Sequence, residues 1–437
     1  MRILARPPRP CHIATVIGLG LLCTSSPTLA VFTNQGNTIF RDSSGNLYPS
    51  SLPGSDGFNI SGRSASLADI DNDGDLDLLF QGSGTTSQKL FRNNNINVGG
   101  TASNTFTDVT AAMWVTSPVS SLWSAAWGDY DGDGKVDVLI GEDNGGVTVP
   151  PRGRLMRNTG TGFTDVSAST GMSYSGFAQN VAWVDINNDH TLDMVIGMES
   201  GQVNQIYLQD ASHHFAAVAP ANGISSTVSG RSYGMAIGDA DSDGDLDIYM
   251  SPCLGDSGSP TPKAYYKNNL VESGAAKTLS FTDVAASNGT QNVSKGYGAE
   301  FVDFDYDGKL DLYVTGANGV ATKIYKGDGH GNFVDVDTIT GHALLSDTGT
   351  DLNGAKAIDY DNDGDLDLFF HDNLSGTSSV KLYRNDSNPN AALPADRWKF
   401  TDVTTAQGIT NTGAGGYDGN GSSRSRLHSI ALFRACC

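Results

Sequence analysis

The chain has 437 residues, with Gly 53, Pro 15 and Cys 5. That length admits two or three average domains or one long all-β repeat fold, and the Gly-rich, Pro-poor balance favours many tight turns over a disordered chain. Lys+Arg 27 against Asp+Glu 48 gives a net charge of −21, which disfavours nucleic acid and anionic lipid as partners and favours cations.

Residues 1–30 read as a secretory signal peptide. Arg2, Arg6 and Arg9 form a positive region, Ile13 to Leu22 an apolar stretch, and Thr28-Leu29-Ala30 offers small residues for cleavage. The apolar stretch is short for a membrane span, and no later segment has that character. Cys11 and Cys23 leave with the signal. Cys253, Cys436 and Cys437 remain, which is no disulfide framework.

One unit then recurs from residue 60 to residue 404. It consists of a small-residue or aromatic strand, an Asp-rich loop, a second apolar strand, a third strand ending in Arg/Lys-Asn, and a short Phe-Thr-Asp-Val strand. The loops start at Asp69, Asp129, Asp185, Asp239, Asp303 and Asp359. The third strand reads KLFRN at Lys89–Asn93, RLMRN at Arg154–Asn158, AYYKN at Ala264–Asn268 and KLYRN at Lys381–Asn385. The third repeat is the divergent copy, with QIYLQ at Gln205–Gln209 and Phe215-Ala-Ala-Val218. Short strands with β-branched and aromatic residues in period-2 patterns predict an all-β fold. Four strands per 54 to 64 residues make a propeller blade, which must stack on neighbours to bury both faces.

The ends set the blade count. Thr38–Asp42 (TIFRD) matches a third strand with no Asp loop before it, and Leu427–Phe433 (LHSIALF) resembles a first strand with none after it. The expected ring has seven blades, with the closing blade shared between the termini. Residues 31–404 form the propeller, and 405–437 form a degenerate or truncated closing-blade segment.

The loops carry the chemistry. The first places Asp69, Asp71, Asp73 and Asp77 at positions 1, 3, 5 and 9, with Gly74 at position 6 and Asp75 at position 7. The second repeats the frame with Asp129, Asp131, Asp133 and Asp137 around Gly134 and Lys135. The fourth has Asp239, Asp241, Asp243, Asp245 and Asp247. The fifth has Asp303, Asp305, Asp307, Lys309 and Asp311, and the sixth Asp359, Asp361, Asp363, Asp365 and Asp367. Carboxylates in this frame converge, Gly permits the sharp turn, and the position 7 carbonyl (Lys135 and Lys309 included) adds a backbone ligand. An all-oxygen donor set without Cys or His selects calcium. Position 12 is apolar in strand pattern, so these are not helix-flanked loops ending in Glu. The third loop has Asp185, Asn187, Asp189 and Asp193, with His190 where Gly belongs. About five calcium sites are expected, the third loop being weak.

At these loops, and at the alternating strand after each, the chain resembles the FG-GAP/VCBS repeat family, whose blades occur in integrin α-subunit propellers and bacterial secreted proteins. The resemblance implies a seven-bladed propeller with calcium between first and second strands, the ligands being the residues just named. It leaves function open, since relatives include adhesion modules, lectin-like binders and domains attached to enzymes.

The expected function is a secreted, calcium-binding module for adhesion or binding at the cell surface or outside the cell, with the periplasm as the alternative location and a protein or glycan as ligand. The alternative is the catalytic or non-catalytic propeller of a polysaccharide-active enzyme; no catalytic constellation supports it. Gly255–Pro260 (GDSGSP) resembles a serine-protease nucleophile segment but has no matching histidine motif. Lys326-Gly-Asp328 resembles a short integrin-recognition tripeptide. Trp127 and Trp183 precede Asp loops, where packing is expected, whereas Trp114 lies in a loop and is the better candidate for ligand contact.

Overall fold

The computed structural model describes residues 62–409 apart from stretches of connecting chain, the longest being 83–88, 115–121, 143–152, 225–231, 253–262 and 346–351. It also describes Gly20–Leu21, Phe32–Thr33, Phe40–Arg41 and His428–Ile430. The expected signal peptide therefore lies almost wholly outside the described residues, as does most of the tail.

The repeats fold as antiparallel sheets in which four strands lie in chain order. Blade 1 comprises Gly62–Ala68, Asp77–Gly82, Lys89–Asn93 and Phe106–Asp108. Blade 2 comprises Leu122–Gly128, Asp137–Glu142, Gly153–Asn158 and Phe163–Asp165. Blade 3 runs Ala178–Val184, Asp193–Met198, Gln205–Gln209 and Phe215–Ala217. Blade 4 runs Ser232–Gly238, Asp247–Pro252, Ala264–Asn268 and Phe281–Asp283. Blade 5 has Ala299–Val302, Asp311–Val314, Lys323–Gly327 and Phe333–Asp335. Blade 6 has Leu352–Ile358, Asp367–Leu374, Thr377–Asn385 and Phe400–Asp402. First strands of successive blades pack against one another, as the innermost strands of a propeller do.

Six blades thus stand among the described residues where seven were expected. Among the described residues, the terminal segments contribute single short strands to blade 1. His428–Ile430 pairs in parallel with the first strand of blade 1, and Phe40–Arg41 pairs in parallel with its fourth strand. TIFRD therefore matches a third strand in sequence, but its described residues, Phe40–Arg41, sit on the outer edge of the first blade. A short apolar segment with a basic end satisfies either position, and only its partner decides between them.

The second strands depart from simple alternation. Asp193–Met198 and Asp247–Pro252 are buried at every position, because a neighbouring blade covers each face. The cores accordingly form between blades. Leu79, Leu90, Val138 and Ile140 join blades 1 and 2, and Tyr249, Tyr265, Leu312 and Phe333 join blades 4 and 5. The Phe of the fourth-strand motif is the anchor, with Phe106 1% exposed and Phe163 fully buried. No helix among the described residues is long and apolar enough to cross a membrane.

Candidate metal centres

Each Asp loop joins the first strand of its blade to the second, so all six occupy equivalent places. The position 1 carboxylate orders the turn. Asp129 Oδ1 accepts from Asp133 N at 3.0 Å and Oδ2 from Gly134 N at 2.8 Å, and Asp69, Asp185, Asp239 and Asp303 do the same. The position 5 carboxylate accepts from the position 7 N–H, as in Asp133 to Lys135 at 3.0 Å and Asp363 to Asp365 at 2.9 Å. Two turn positions have positive φ. Position 6 is the expected Gly, with φ 83° at Gly134 and 94° at Gly244. Position 4 is left-handed as well, at Asn72, Asn188, Ser242, Tyr306 and Asn362. Asn tolerates that conformation and carries no sequence signal as clear as Gly.

The position 9 aspartate has a task that sequence reading missed. Asp77, Asp137, Asp193, Asp247, Asp311 and Asp367 are at most 1% exposed. In each, Oδ1 accepts from the backbone N–H at the end of the third strand: Asn93, Asn158, Gln209, Asn268, Gly327 and Asn385, at 2.7–3.0 Å. In five of them Oδ2 accepts from the position 2 N–H, for example Ile70 to Asp77 at 2.8 Å. Asp247 Oδ2 accepts from Tyr265 Oη at 2.7 Å, and the position 2 N–H of Ala240 also bonds this carboxyl. This carboxylate pins the loop to the blade. Burial pushes the carboxyls of Asp77, Asp137, Asp193, Asp311 and Asp367 up to about 7, and that of Asp247 to about 6.

Position 9 also joins the metal-type clusters. Asp69, Asp71 and Asp77 each offer an oxygen within 4.8 Å of the others, as do Asp129, Asp131 and Asp137; Asp303, Asp305 and Asp311; and Asp359, Asp361 and Asp367. In the fourth loop the trio is Asp239, Asp241 and Asp243. Asp73, Asp133, Asp307 and Asp363 lie outside the tight trios, as do the position 7 side chains Asp75, Lys135, Asp245, Lys309 and Asp365. At this spacing two carboxylates repel by about 3–4 kcal/mol at an effective dielectric near 20. Burial, and then the neighbouring carboxylates, raise Asp71 and Asp361 above their ordinary range. Asp241 Oδ1, Asp359 Oδ1 and Asp361 Oδ1 are buried without a hydrogen-bond donor. Buried acceptors left open inside an all-oxygen cluster fit a hard divalent cation. Positions 1, 3 and 9, or 1, 3 and 5 in the fourth loop, would hold it.

A basic side chain from the third strand approaches each of these clusters. Arg157 pairs with Asp131 at 2.5 Å and Asp133 at 3.0 Å. Lys267 contacts Asp241 and pairs with Asp243 at 3.0 Å. Lys326 reaches Asp305 at 2.8 Å and Asp307 at 2.7 Å. Arg92 and Arg384 act on Asp71 and Asp361 through their charge.

The third loop is built otherwise. Asn187 Nδ2 donates to Asp189 Oδ2 at 2.9 Å, Thr191 Oγ1 donates to Asp189 Oδ1, and the residue equivalent to the basic side chain is Leu208. Amide and hydroxyl donors replace the cation. His190 takes φ 70° where the other loops have Gly. Among the described residues, Asp185, Asp189 and Asp193 form no tight trio.

Other motifs resolve into structure. Trp114 is only 8% exposed and packs on Phe163 of the next repeat, with ring centroids 5.2 Å apart, so it is a core residue and not the expected ligand contact. Trp127 Nε1 donates to Ser66 Oγ and Trp183 Nε1 to the Ala126 carbonyl, tying adjacent blades. In Lys326-Gly-Asp328 the lysine is ion-paired and the aspartate caps a turn by accepting from His330 N and Asn332 N. Ser257 lies outside the described residues.

Comparison with known proteins follows the same repeat. The FG-GAP-like repeat family matches residues 69–140, 129–196 and 303–370, each match running from one Asp loop into the second strand of the next repeat. No curated protein matches the chain. Among solved structures it is similar to an Agrocybe aegerita lectin described as specifically recognising non-reducing terminal N-acetylglucosamine, at 15% identity and TM-score 0.46 over 80% of each chain. It is also similar to the V. cholerae biofilm matrix protein Bap1, at 14% identity and TM-score 0.33 over 64% of this chain and 40% of that one. A third likeness is the Dos1 propeller, at 10% identity and TM-score 0.41 over 81% and 85% of the two chains. With four-stranded blades repeating around these loops, the chain is a β-propeller that carries FG-GAP-like repeats in three places.

Proposed function

We propose that the chain is a secreted calcium-binding propeller that acts as an extracellular binding module for a protein or glycan. The observation that carries this reading is the recurrence of a carboxylate trio in five blades, four times at positions 1, 3 and 9 and once at 1, 3 and 5, with buried oxygens left open in two of them. One loop with this composition is an ordinary Asp-Gly turn. Five in one frame, each facing its own basic side chain, form a repeated cation-handling device. Secretion is supported by the basic and apolar segment at residues 1–30, and the strongly acidic charge suits a partner other than nucleic acid.

The test has two parts. Elemental analysis after dialysis against trace calcium should give about five calcium ions per chain by the loop count; fewer than two, or zinc instead, would refute the metal assignment. Screening against a glycan array and an extracellular protein panel, with and without calcium, should then give calcium-dependent capture. Turnover of a polysaccharide panel without such capture would favour the enzymatic alternative.

A further inference from the structure

On the loop face, between the outer part of blade 5 and the segment that leads into the fourth strand of blade 6, lies a cavity of about 420 Å³, within the ~300–1,000 Å³ range of small-ligand sites. Lys309, Lys326 and Arg397 converge on it, and Val334, Ile339 and Trp398 supply apolar wall. Three cations around one cleft are unusual on a chain of net charge −21.

The carboxylates that border the cleft already have partners. Asp328 spends both oxygens on its own turn, accepting from His330 N at 2.7 Å and from Asn332 Nδ2 at 2.8 Å. Asp305 and Asp307 hold Lys326, and Asp307 also lies 3.9 Å from Lys309 Nζ, so both lysines are shared with the fifth Asp loop. Arg397 is anchored through Nε to the Ala391 carbonyl at 3.2 Å, and among the described residues no carboxylate lies within ion-pair distance of it. Its terminal nitrogens retain the planar fork that grips a carboxylate through two parallel hydrogen bonds. Val334 is 50% exposed, one of few large apolar side chains at the surface among the described residues. Lys326 Nζ lies 5.8 Å from the centre of the buried Trp398 ring.

From this juxtaposition we propose that the cleft binds a carboxylate carried on a sugar ring, a hexuronate unit. The carboxylate meets Arg397 and Lys309, and the apolar face of the ring lies against Val334 and Ile339. The inference rests on the reading of the chain as a binding module and names a ligand class for it. A neutral sugar would forgo the cations, and inorganic anions would forgo the apolar wall.

The experiment is isothermal titration of the full chain, in calcium and at low ionic strength, with methyl glucuronoside, methyl glucoside and a glucuronate trisaccharide. The glucuronoside should bind at least tenfold tighter than the glucoside, and the trisaccharide distinguishes a single-unit site from one that reads an acidic chain. Arg397→Gln and Val334→Asp should each weaken glucuronoside binding at least tenfold, with melting curves and calcium content unchanged. Equal binding of glucoside and glucuronoside, or none at millimolar concentration, overturns the proposal. Glycan-array binding that survives both substitutions leaves the binding module standing and excludes this cleft from it. No glycan or protein capture by the unaltered chain would overturn the module reading and this inference together.

Discussion

Asp137 has no exposed surface, yet both its oxygens accept backbone N–H groups, from Asn158 at 2.7 Å and Tyr130 at 3.3 Å. The carboxylate is thus a clamp before it is a ligand. Asp137→Asn places an NH₂ against one of those donors and leaves a buried N–H unpaired, which costs about 2 kcal/mol. Urea unfolding of metal-free protein should show that loss, and because metal is absent the loss isolates the clamp from calcium binding. A second consequence concerns pH. The five clamp carboxyls pushed up to about 7 bind protons more tightly in the folded state than in the unfolded one, where the ordinary value is 3.8. Stability then falls as pH rises wherever the native state holds more protons. Metal-free protein should therefore lose stability as pH rises from about 4 to about 7. Asp133, Asp386 and Asp402, held low by Lys or Arg partners and by hydrogen bonds, act in the opposite direction at more acid pH. Saturating calcium should flatten or reverse the slope, because the metal needs the ionised form. Urea midpoints measured at several pH values, with and without calcium, test the sign.

At the scale of the element, the third strand carries most of the wiring in five residues. Its first basic residue pairs with the Asp of the Phe-Thr-Asp-Val strand, as Lys89 does with Asp108 at 2.7 Å and Lys323 with Asp335 at 3.0 Å. Its second basic residue reaches the Asp loop. Its terminal Asn crosses to the neighbouring blade, where Asn158 Nδ2 donates to the Ile70 carbonyl, Asn268 Nδ2 to Ile186 and Asn385 Nδ2 to Phe304. Gln209 makes the same crossing to Tyr130 in the divergent third blade. The recurrence of Arg/Lys-Asn was legible in the sequence, but its purpose was not, because the partners lie in other strands or other repeats. The blade class and the loop frame were legible, being local patterns of spacing. Trp114 was misread because its partner Phe163 belongs to the next repeat, and the closing blade because strand-like segments at both ends carry no sign of their partners. The loop-facing cations also make a prediction. Lys267 lies against Asp241 and Asp243, and its charge opposes an incoming divalent ion. Lys267→Met should tighten calcium binding at the fourth loop roughly tenfold, the effect of losing a little over 1 kcal/mol of repulsion. Calcium titration by calorimetry would show one class of site shifting while the others stay in place. Weaker binding would instead assign Lys267 to holding the loop in shape.

Over the whole molecule, blades share their cores, so what happens in a loop does not stay in one blade. Each ion bound only by the native state adds RT ln(1 + [L]/Kd), about 2.7 kcal/mol at a hundredfold excess over Kd. Several such sites rival the ~5–15 kcal/mol net stability of a domain. Without metal, the trios keep their mutual repulsion and only partial neutralisation by Arg and Lys. Chelation should therefore lower the melting temperature by tens of degrees, with Asp131→Ala or Asp305→Ala reproducing part of the shift. The third blade sharpens this expectation. Its loop is closed by Asn187 and Thr191 and needs no ion to satisfy Asp189, and its second strand, Asp193–Met198, is buried throughout. In a repeat array, local stability is set by each unit and its two interfaces. Amide hydrogen exchange in excess chelator should thus open the second strands of blades 2 and 4 before that of blade 3. Ile140 and Met250 would lose protection first and Val195 last, and calcium would restore a common level. Superimposable melting curves with and without calcium would reduce the loops to solvated turns. Uniform loss of protection across the three blades would mean that the ring opens as one unit, whatever its loops hold.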